Sequence, residues 1–121
     1  MAEVPNAGFA SAGWIEAMGR AAEHVTVDPE LSITVEQRLD EGVAWHFVFA
    51  DGTVRVAPGE TEEPDIVLTS SLEIALAIHA GKLSAQRAFL DGDLRIGGDI
   101  TTLIEQRAAL SEVAELMAAA T

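Results

Sequence analysis

Residues 31–57 carry an apolar side chain at nearly every second position, the spacing of strands that are buried on one face. The apolar members of the first run are Leu31, Ile33, Val35 and Leu39. Gln37 is the one polar residue on that face. The pattern predicts a strand over residues 31–39 whose apolar face packs on a core.

The next segment predicts two further strands joined by a tight turn. The face of the second strand that we expect to be buried consists of Val43 and three aromatic residues, Trp45, Phe47 and Phe49. Asp51-Gly52 is a strong signal for a two-residue hairpin. Val54 and Val56 continue into a third strand, so residues 31–57 are expected to form an antiparallel meander with one apolar face.

Helical spacing of apolar residues predicts the first helix over about residues 10–24. Its apolar side consists of Trp14, Ile15, Met18, Ala22 and Val25. A second helix, over residues 72–80, is apolar on two opposite sides. One side consists of Leu72, Ala75, Leu76 and His79, and the other of Ile74 and Ile78. Such a helix must be covered on both sides, by the sheet on one and by another helix or a ligand on the other.

The remaining elements of the C-terminal half are short. We predict a fourth strand around residues 66–68, a helix over 84–90, a fifth strand over 93–96, a helix after Asp99 and a final helix from Ser111. In the helix after Asp99, the side chains expected to point inward are Ile100, Leu103 and Ile104. The final helix has its apolar stripe at Val113, Leu116, Met117 and Ala120, and Ser111-Glu112 is its expected N-cap.

These elements predict an α+β fold, with a single five-stranded, mostly antiparallel sheet and helices packed on one face. The length of 121 residues suits one domain. Pro5, Asn6 and Gly8 indicate that residues 1–8 form a flexible N-terminal arm, so we place the domain at residues 9–121.

The charge balance disfavours several classes of partner. Asp and Glu number 20 against 7 Lys and Arg, for a net charge of −13. Nucleic acid and anionic lipid surfaces are both recognised through basic residues. No apolar run approaches the ~20 residues of a transmembrane helix. The N-terminus has no secretory pattern, and Arg outnumbers Lys, so we expect a cytoplasmic bacterial protein.

The sequence gives no support for catalysis or metal binding. The three histidines, His24, His46 and His79, fall on three different elements, and none has a metal-ligand partner at helical spacing. There is no Gly-x-Ser-x-Gly segment and no cysteine. The acidic residues of segment 60–65 do not match a calcium loop. We therefore expect no enzyme activity, no metal and no cofactor.

Residues 86–98 carry a more specific signal. They read Gln-Arg-Ala-Phe-Leu-Asp-Gly-Asp-Leu-Arg-Ile-Gly-Gly, with Gly81-Lys82-Leu83 before them and a strand at Asp65 to Thr69. The chain resembles the sterol carrier protein family, type two, whose members carry a similar Gln-x-Ala-Phe-x-x-Gly-x-Leu-x-Ile-x-Gly block. The resemblance implies that the chain does no chemistry by itself and holds a lipid or other apolar molecule in a tunnel between sheet and helices.

The side chains expected to line that tunnel come from the block and from the apolar stripes. They are Trp45, Phe47, Ile74, Ile78, Phe89, Leu90, Ile100, Leu103, Ile104, Leu116 and Met117. By position in the block, Phe89, Leu90, Ile100 and Ile104 correspond to tunnel-lining places in the family. Gln86 and Arg107 are the expected polar residues near the mouth. On periodicity alone, the same apolar residues also suit an ordinary closed core.

The resemblance implies binding of a fatty acyl, sterol-like or other apolar small molecule. Because the last helix is short and Ala-rich, we expect it to open as a mobile lid. Two alternatives remain open. In the first, the tunnel is collapsed and the chain is a protein-interaction or homodimerisation module, which docks a partner or a second copy through the apolar face of its last helix. In the second, the chain presents an apolar substrate to a separate enzyme.

Overall fold

A computed structural model describes residues 9–119 of the chain. The predicted arm at residues 1–8 and the stripe residue Ala120 lie outside the described residues. Five strands form one sheet: β1 Ile33–Leu39, β2 Ala44–Ala50, β3 Thr53–Pro58, β4 Ile66–Ser70 and β5 Arg95–Gly98. Their order is β3-β2-β1-β4-β5, and the β1–β4 pair alone among these five strands is parallel. The predicted mostly antiparallel sheet is confirmed.

The described part of the chain also forms five helices: α1 Ala12–Ala22, α2 Leu72–His79, α3 Ala85–Leu90, α4 Ile100–Glu105 and α5 Ala108–Ala119. Serine side chains cap three of them. The hydroxyls of Ser11, Ser71 and Ser84 accept the backbone N–H three residues further on, which satisfies one of the donors that a helix leaves free at its start. Five helices beside a single sheet confirm the predicted α+β class.

The predicted hairpin joins β2 to β3. Ala50 and Thr53 are paired across it, and both turn residues have positive φ, 56° at Asp51 and 80° at Gly52. Positive φ at both central residues is the geometry of a type I′ turn, whose twist matches that of the strands. This turn fixes the register in which Phe47 pairs with Val56 and Phe49 with Val54.

The core lies between the helices and the face of the sheet that the alternation predicted. Val35, Trp45 and Phe47 are fully buried on this face, and α1 adds Trp14 and Met18. The last helix contributes Ala109, Val113 and Leu116 to the same cluster. Sheet and helices thus share one continuous core.

The opposite face of the sheet is partly covered by the segment after β3. Glu36 alternates with the core-facing residues of β1 and so lies on this opposite face, yet it is fully buried. Its carboxylate accepts hydrogen bonds from Arg38 Nη2 at 2.6 Å and from the Thr61 backbone N–H at 3.0 Å. His46, the cross-strand partner of Glu36, lies 2.9 Å from the Gly59 carbonyl through Nδ1. Segment 59–61 therefore covers Glu36 and His46, two polar side chains on the face of the sheet opposite the core.

Three predictions for the C-terminal half are wrong in detail. The fifth strand is Arg95–Gly98, not 93–96, because the Asp93 and Leu94 N–H groups donate to the Ala88 carbonyl and close α3. The last helix begins at Ala108, so Ser111 is not its N-cap.

The third error concerns α4. Ile100 and Ile104 were expected to point inward but are 51% and 59% exposed. Only Leu103 of that set packs on the core. This helix has six residues, so it presents little more than one inward position.

Candidate functional site

A pocket of about 210 Å³ lies between the sheet and two helices, α2 and α5. Its lining comes from β1, β4, α2, the start of α3, Leu94 and α5. The lining residues are Gln37, Leu68, Ser70, Ala75, Ile78, His79, Ala85, Leu94, Leu110, Val113, Ala114, Met117 and Ala118. All but three of these side chains are apolar.

The floor of the pocket is formed by the parallel pair β1–β4. Gln37 is in register with Leu68, and Ser70 is two residues further along β4, so the three side chains share the helix-covered face. Gln37 and Ser70 are 7% and 1% exposed. The Gln37 amide nitrogen donates to the Leu68 carbonyl at 3.5 Å, and the Ser70 hydroxyl donates to the Ser71 carbonyl at 3.0 Å. The pocket therefore has two polar groups at its buried end.

One wall of the pocket is α2. The Ser71 cap starts this helix so that Ala75, Ile78 and His79 face the pocket, while Leu72 and Leu76 remain exposed. Burial lowers the pKa of His79, because a charged imidazolium loses hydration there.

Two aromatic rings lie beside His79. The ring centroids of Phe9 and Trp14 are 4.9 Å and 6.0 Å from that of His79. Trp14 in turn meets Trp45 edge to face, with the ring centroids 5.3 Å apart. Trp45 Nε1 is buried and has no hydrogen-bond partner among the described residues. The histidine side of the pocket is thus continuous with the aromatic core.

The opposite wall is α5, which also forms the mouth. Val113 of this helix is buried, and Leu110 and Met117 are partly buried. Ala114 and Ala118 are exposed, as is Ala85 at the start of α3. Small side chains at these three positions leave the pocket open to solvent on this side.

The structure brings some of the predicted tunnel residues together. Ile78 and Met117 line the pocket. Trp45, Phe47 and Leu116 belong to the buried core beside it, and Leu103 packs on that core. A tunnel through the molecule stays a prediction.

The other predicted residues lie elsewhere. Phe89 and Leu90 of α3 are 47% and 72% exposed, and Ile100 and Ile104 lie on the surface of α4. Ile74 lines a separate shallow depression with Asp40 and Arg95. A ligand contact for these side chains stays a prediction.

The two polar residues expected near the mouth are not in the pocket lining. Gln86 is exposed on α3. Arg107 is exposed just before α5, and its Nη1 donates to the Ile104 carbonyl at 3.0 Å. Sequence reasoning instead missed Gln37, Ser70 and His79 as site residues. The signal for Gln37 was present, since it is the polar member of an otherwise apolar face.

A second depression, of about 600 Å³, lies between α1 and β3. Exposed charged side chains border it, namely Glu16, Arg20, Glu23 and Arg55. It is therefore less suited to an apolar molecule than the pocket under α5. Among residues 9–119, no group of three or more His, Cys, Asp or Glu side chains is placed to hold a metal ion. None of the helices in that range combines the length and apolarity needed to cross a bilayer.

Comparisons with known proteins agree on the fold. Sterol carrier protein 2 superposes with a TM-score of 0.69 at 18% identity, over 91% of this chain and 97% of that chain. A Thermus thermophilus protein described as possibly a sterol carrier protein superposes with a TM-score of 0.68 at 20% identity. The match covers 93% of this chain and 90% of that chain. A double mutant of the sec-alkyl sulfatase PisA1 gives 0.57 at 17% identity and covers 69% of this chain. This chain spans only 14% of that sulfatase chain.

Comparison with curated proteins gives no significant match. The model of the SCP-2 sterol transfer family matches residues 29–111. This range runs from a few residues before the first strand to the first turn of α5 and includes much of the pocket lining. Because it covers well over half of the chain, the chain belongs to the SCP-2 sterol transfer family.

Proposed function

We propose that the chain binds a lipid or another apolar small molecule in the pocket between β1–β4 and α2–α5, and that it does so without catalysis. The observation that carries the proposal is the lining, which is apolar at all but three positions and opens through small side chains. Removing apolar surface from water contributes roughly 25 cal/mol per Å². Membership of a sterol transfer family supports a ligand of this class.

The size of the pocket limits what enters without rearrangement. Ligand pockets usually hold ~300–1,000 Å³, and an apolar cavity of ~150 Å³ accommodates benzene. A volume of about 210 Å³ therefore suits a ring or a medium-length chain. A whole sterol or long acyl chain requires α5 to move outward, since this helix forms the mouth.

The polar groups of the pocket favour binding over reaction. An activated nucleophile needs its proton directed at a neighbouring base. The Ser70 hydroxyl donates instead to the Ser71 carbonyl at 3.0 Å. Gln37 has no acid–base function at ordinary pH. The lining thus offers hydrogen bonds to a ligand rather than a reactive pair.

Binding of a fluorescent apolar probe tests the proposal when the native chain is compared with a variant whose pocket mouth is blocked by a larger side chain. Ala114→Phe places a large side chain at the mouth, and Ala119→Phe adds the same side chain on α5 away from the lining. Both alanines are exposed, so neither change disturbs the core. We expect Ala114→Phe to weaken probe binding at least ~five-fold, the loss of roughly 1 kcal/mol of apolar contact, and Ala119→Phe to leave it unchanged. Equal binding by both variants and the native chain would refute the pocket as the site.

A homodimer is the second candidate, and one observation favours it. Large apolar side chains are exposed on α2, α3 and α4, namely Leu72, Leu76, Phe89, Leu90, Ile100 and Ile104. The stripe of the last helix, which the sequence offered as the docking face, is instead buried at Val113 and Leu116. Light scattering across concentration separates the candidates. A dimer that Leu90→Ser dissociates supports this second function, and a monomer throughout excludes it.

A further inference from the structure

The polarity of the pocket runs opposite to that of a site built for a fatty acid with its head in water. Gln37 and Ser70 lie at the buried floor, whereas the exposed mouth is lined by Ala85, Ala114 and Ala118. A ligand whose polar end stayed at the mouth would leave the two floor groups against hydrocarbon. Each floor group makes one hydrogen bond within the protein, so its remaining donors and acceptors would face hydrocarbon without a partner, which is unfavourable.

Both floor residues have hydrogen-bonding capacity to spare. A glutamine amide offers two N–H donors and a carbonyl acceptor, and the hydrogen bond that Gln37 makes to Leu68 is long, at 3.5 Å. The Ser70 hydroxyl uses its proton on Ser71, so its oxygen lone pairs are available to accept. The floor can therefore both donate to and accept from a single oxygen atom.

The floor cannot compensate a negative charge. Among the described residues that line the pocket, none is Lys or Arg. Arg107, the expected partner for a carboxylate, lies outside the lining and donates to the Ile104 carbonyl. A carboxylate at the floor would be buried without a cation, which costs far more than burying a neutral hydroxyl. His79 is the one titratable lining residue, and burial disfavours its charged form.

We propose that the pocket selects neutral molecules with one hydroxyl or carbonyl group, an inference that rests on the proposed function. The polar end of the ligand enters first and makes hydrogen bonds with Gln37 and Ser70. By comparison with the ~150 Å³ that holds benzene, a pocket of this volume fits about eight to ten non-hydrogen atoms. The ligand class is therefore a medium-chain or monocyclic alcohol, aldehyde or ketone, rather than a fatty acid.

The test compares 1-octanol, octanoate and 1-octene by NMR titration at about pH 8, where octanoate is ionised. We expect 1-octanol to bind at least ~ten-fold more tightly than octanoate, because the floor holds no cation for the carboxylate. Nuclear Overhauser contacts should run from its C1 protons to Leu68 at the floor, and from its terminal methyl to Ala114 and Ala118. In the double variant Gln37→Met/Ser70→Ala, 1-octanol affinity should fall several-fold, since a neutral hydrogen bond is worth roughly two- to ten-fold. The affinity for 1-octene should not fall.

The outcomes separate this inference from the proposed function. Octanoate binding as tightly as 1-octanol, or a ligand methyl group at the floor, overturns the inference while leaving the pocket as a lipid site. The native chain alone decides this point, so the comparison of ligands holds even if the double variant fails to fold. If none of the three molecules shifts signals of the pocket residues, the proposed function itself fails.

Discussion

Gln37 of β1 lies directly opposite Trp45 of β2, and both side chains are on the helix-covered face of the sheet. Gln37 lines the pocket, and Trp45 is fully buried beside it. Trp45 meets Trp14, and Trp14 lies near His79, which also lines the pocket. Because Trp14 and Trp45 are the only tryptophans in the chain, their fluorescence should report on the pocket.

The first prediction concerns the pH dependence of stability. Burial lowers the pKa of His79 in the folded chain, so the unfolded chain binds more protons as the pH falls through the ordinary value of 6.5. The stabilising effect of the neutral imidazole is therefore present above that pH and is lost below it. We expect urea unfolding to show a smaller loss of stability between about pH 8 and pH 5.5 in His79→Gln than in the native chain. An equal loss of stability in His79→Gln and in the native chain would contradict the prediction.

A second prediction separates core aromatics from surface aromatics. Phe47 is fully buried, whereas Phe89, which the sequence placed in the tunnel, is 47% exposed. Phe47→Ala should lower the free energy of unfolding by about 3–5 kcal/mol. Phe89→Ala should lower it by less than about 1 kcal/mol, measured by urea denaturation. A loss at Phe89 as large as at Phe47 would show that α3 packs inward in solution.

The third prediction concerns segment 59–61, which covers Glu36 on the face of the sheet opposite the core. Glu36→Gln keeps the shape of a buried side chain but removes the charge that Arg38 and Thr61 contact. Hydrogen bonds to charged groups are worth about 1.5–3 kcal/mol, and partial exposure of Arg38 reduces the loss. We expect destabilisation of about 1–2 kcal/mol, measured by urea denaturation. Asp91→Asn removes only the exposed ion pair with Arg87 and should cost below about 0.5 kcal/mol.

A fourth prediction concerns the two adjacent glycines of β5. A Cβ atom on Gly98 would lie 2.0 Å from the Asp65 carbonyl oxygen, and its φ is 109°. A Cβ atom on Gly97 would lie 3.9 Å from the nearest atom, the Val67 carbonyl oxygen. Gly98→Ala should therefore displace β5 from β4 and destabilise the chain by more than about 2 kcal/mol, while Gly97→Ala costs less than about 1 kcal/mol. Thermal unfolding of the two variants measures the difference, and similar melting temperatures would contradict the register of this pair.

The fifth prediction treats α5 as the gate. A helix of 12 residues is marginal alone and depends on packing of its buried face. Local opening of such a segment requires less free energy than global unfolding. We expect α5 amides to exchange faster than β1 amides without ligand, and to slow when 1-octanol is added. Exchange in α5 as slow as in β1 before any ligand is added would exclude the gate.

The sheet was predictable because its cause is local. Alternation fixes which side chains of β1 and β2 share a face, and Asp51-Gly52 fixes the turn between them. The parallel pairing of β4 with β1 is not encoded in a period, since it depends on where the chain returns after β3. The family block supplied the position of the last strand to within two residues.

The site was less predictable because its lining depends on how short helices are oriented. Residues 72–80 are apolar on two sides, so periodicity could not tell which side faces the pocket. Within the side formed by Leu72, Ala75, Leu76 and His79, Ala75 is buried while both leucines are exposed. The helices α3 and α4 have six residues each, too few for a clear stripe, and their largest apolar side chains are exposed. Gln37 is the opposite case, because the sequence does distinguish it as the one polar residue on an apolar strand face. The structure places it at the floor of the pocket.

Intermolecular nuclear Overhauser contacts from bound 1-octanol to methyl-labelled protein test the central claim most directly. The account predicts contacts to Ile78, Val113 and Met117, which line the pocket from opposite sides. The same experiment on Ala114→Phe should lose those contacts, and Ala119→Phe should retain them. Contacts confined to Leu90, Ile100 and Ile104 on the surface of α3 and α4 would place the ligand elsewhere and contradict the account.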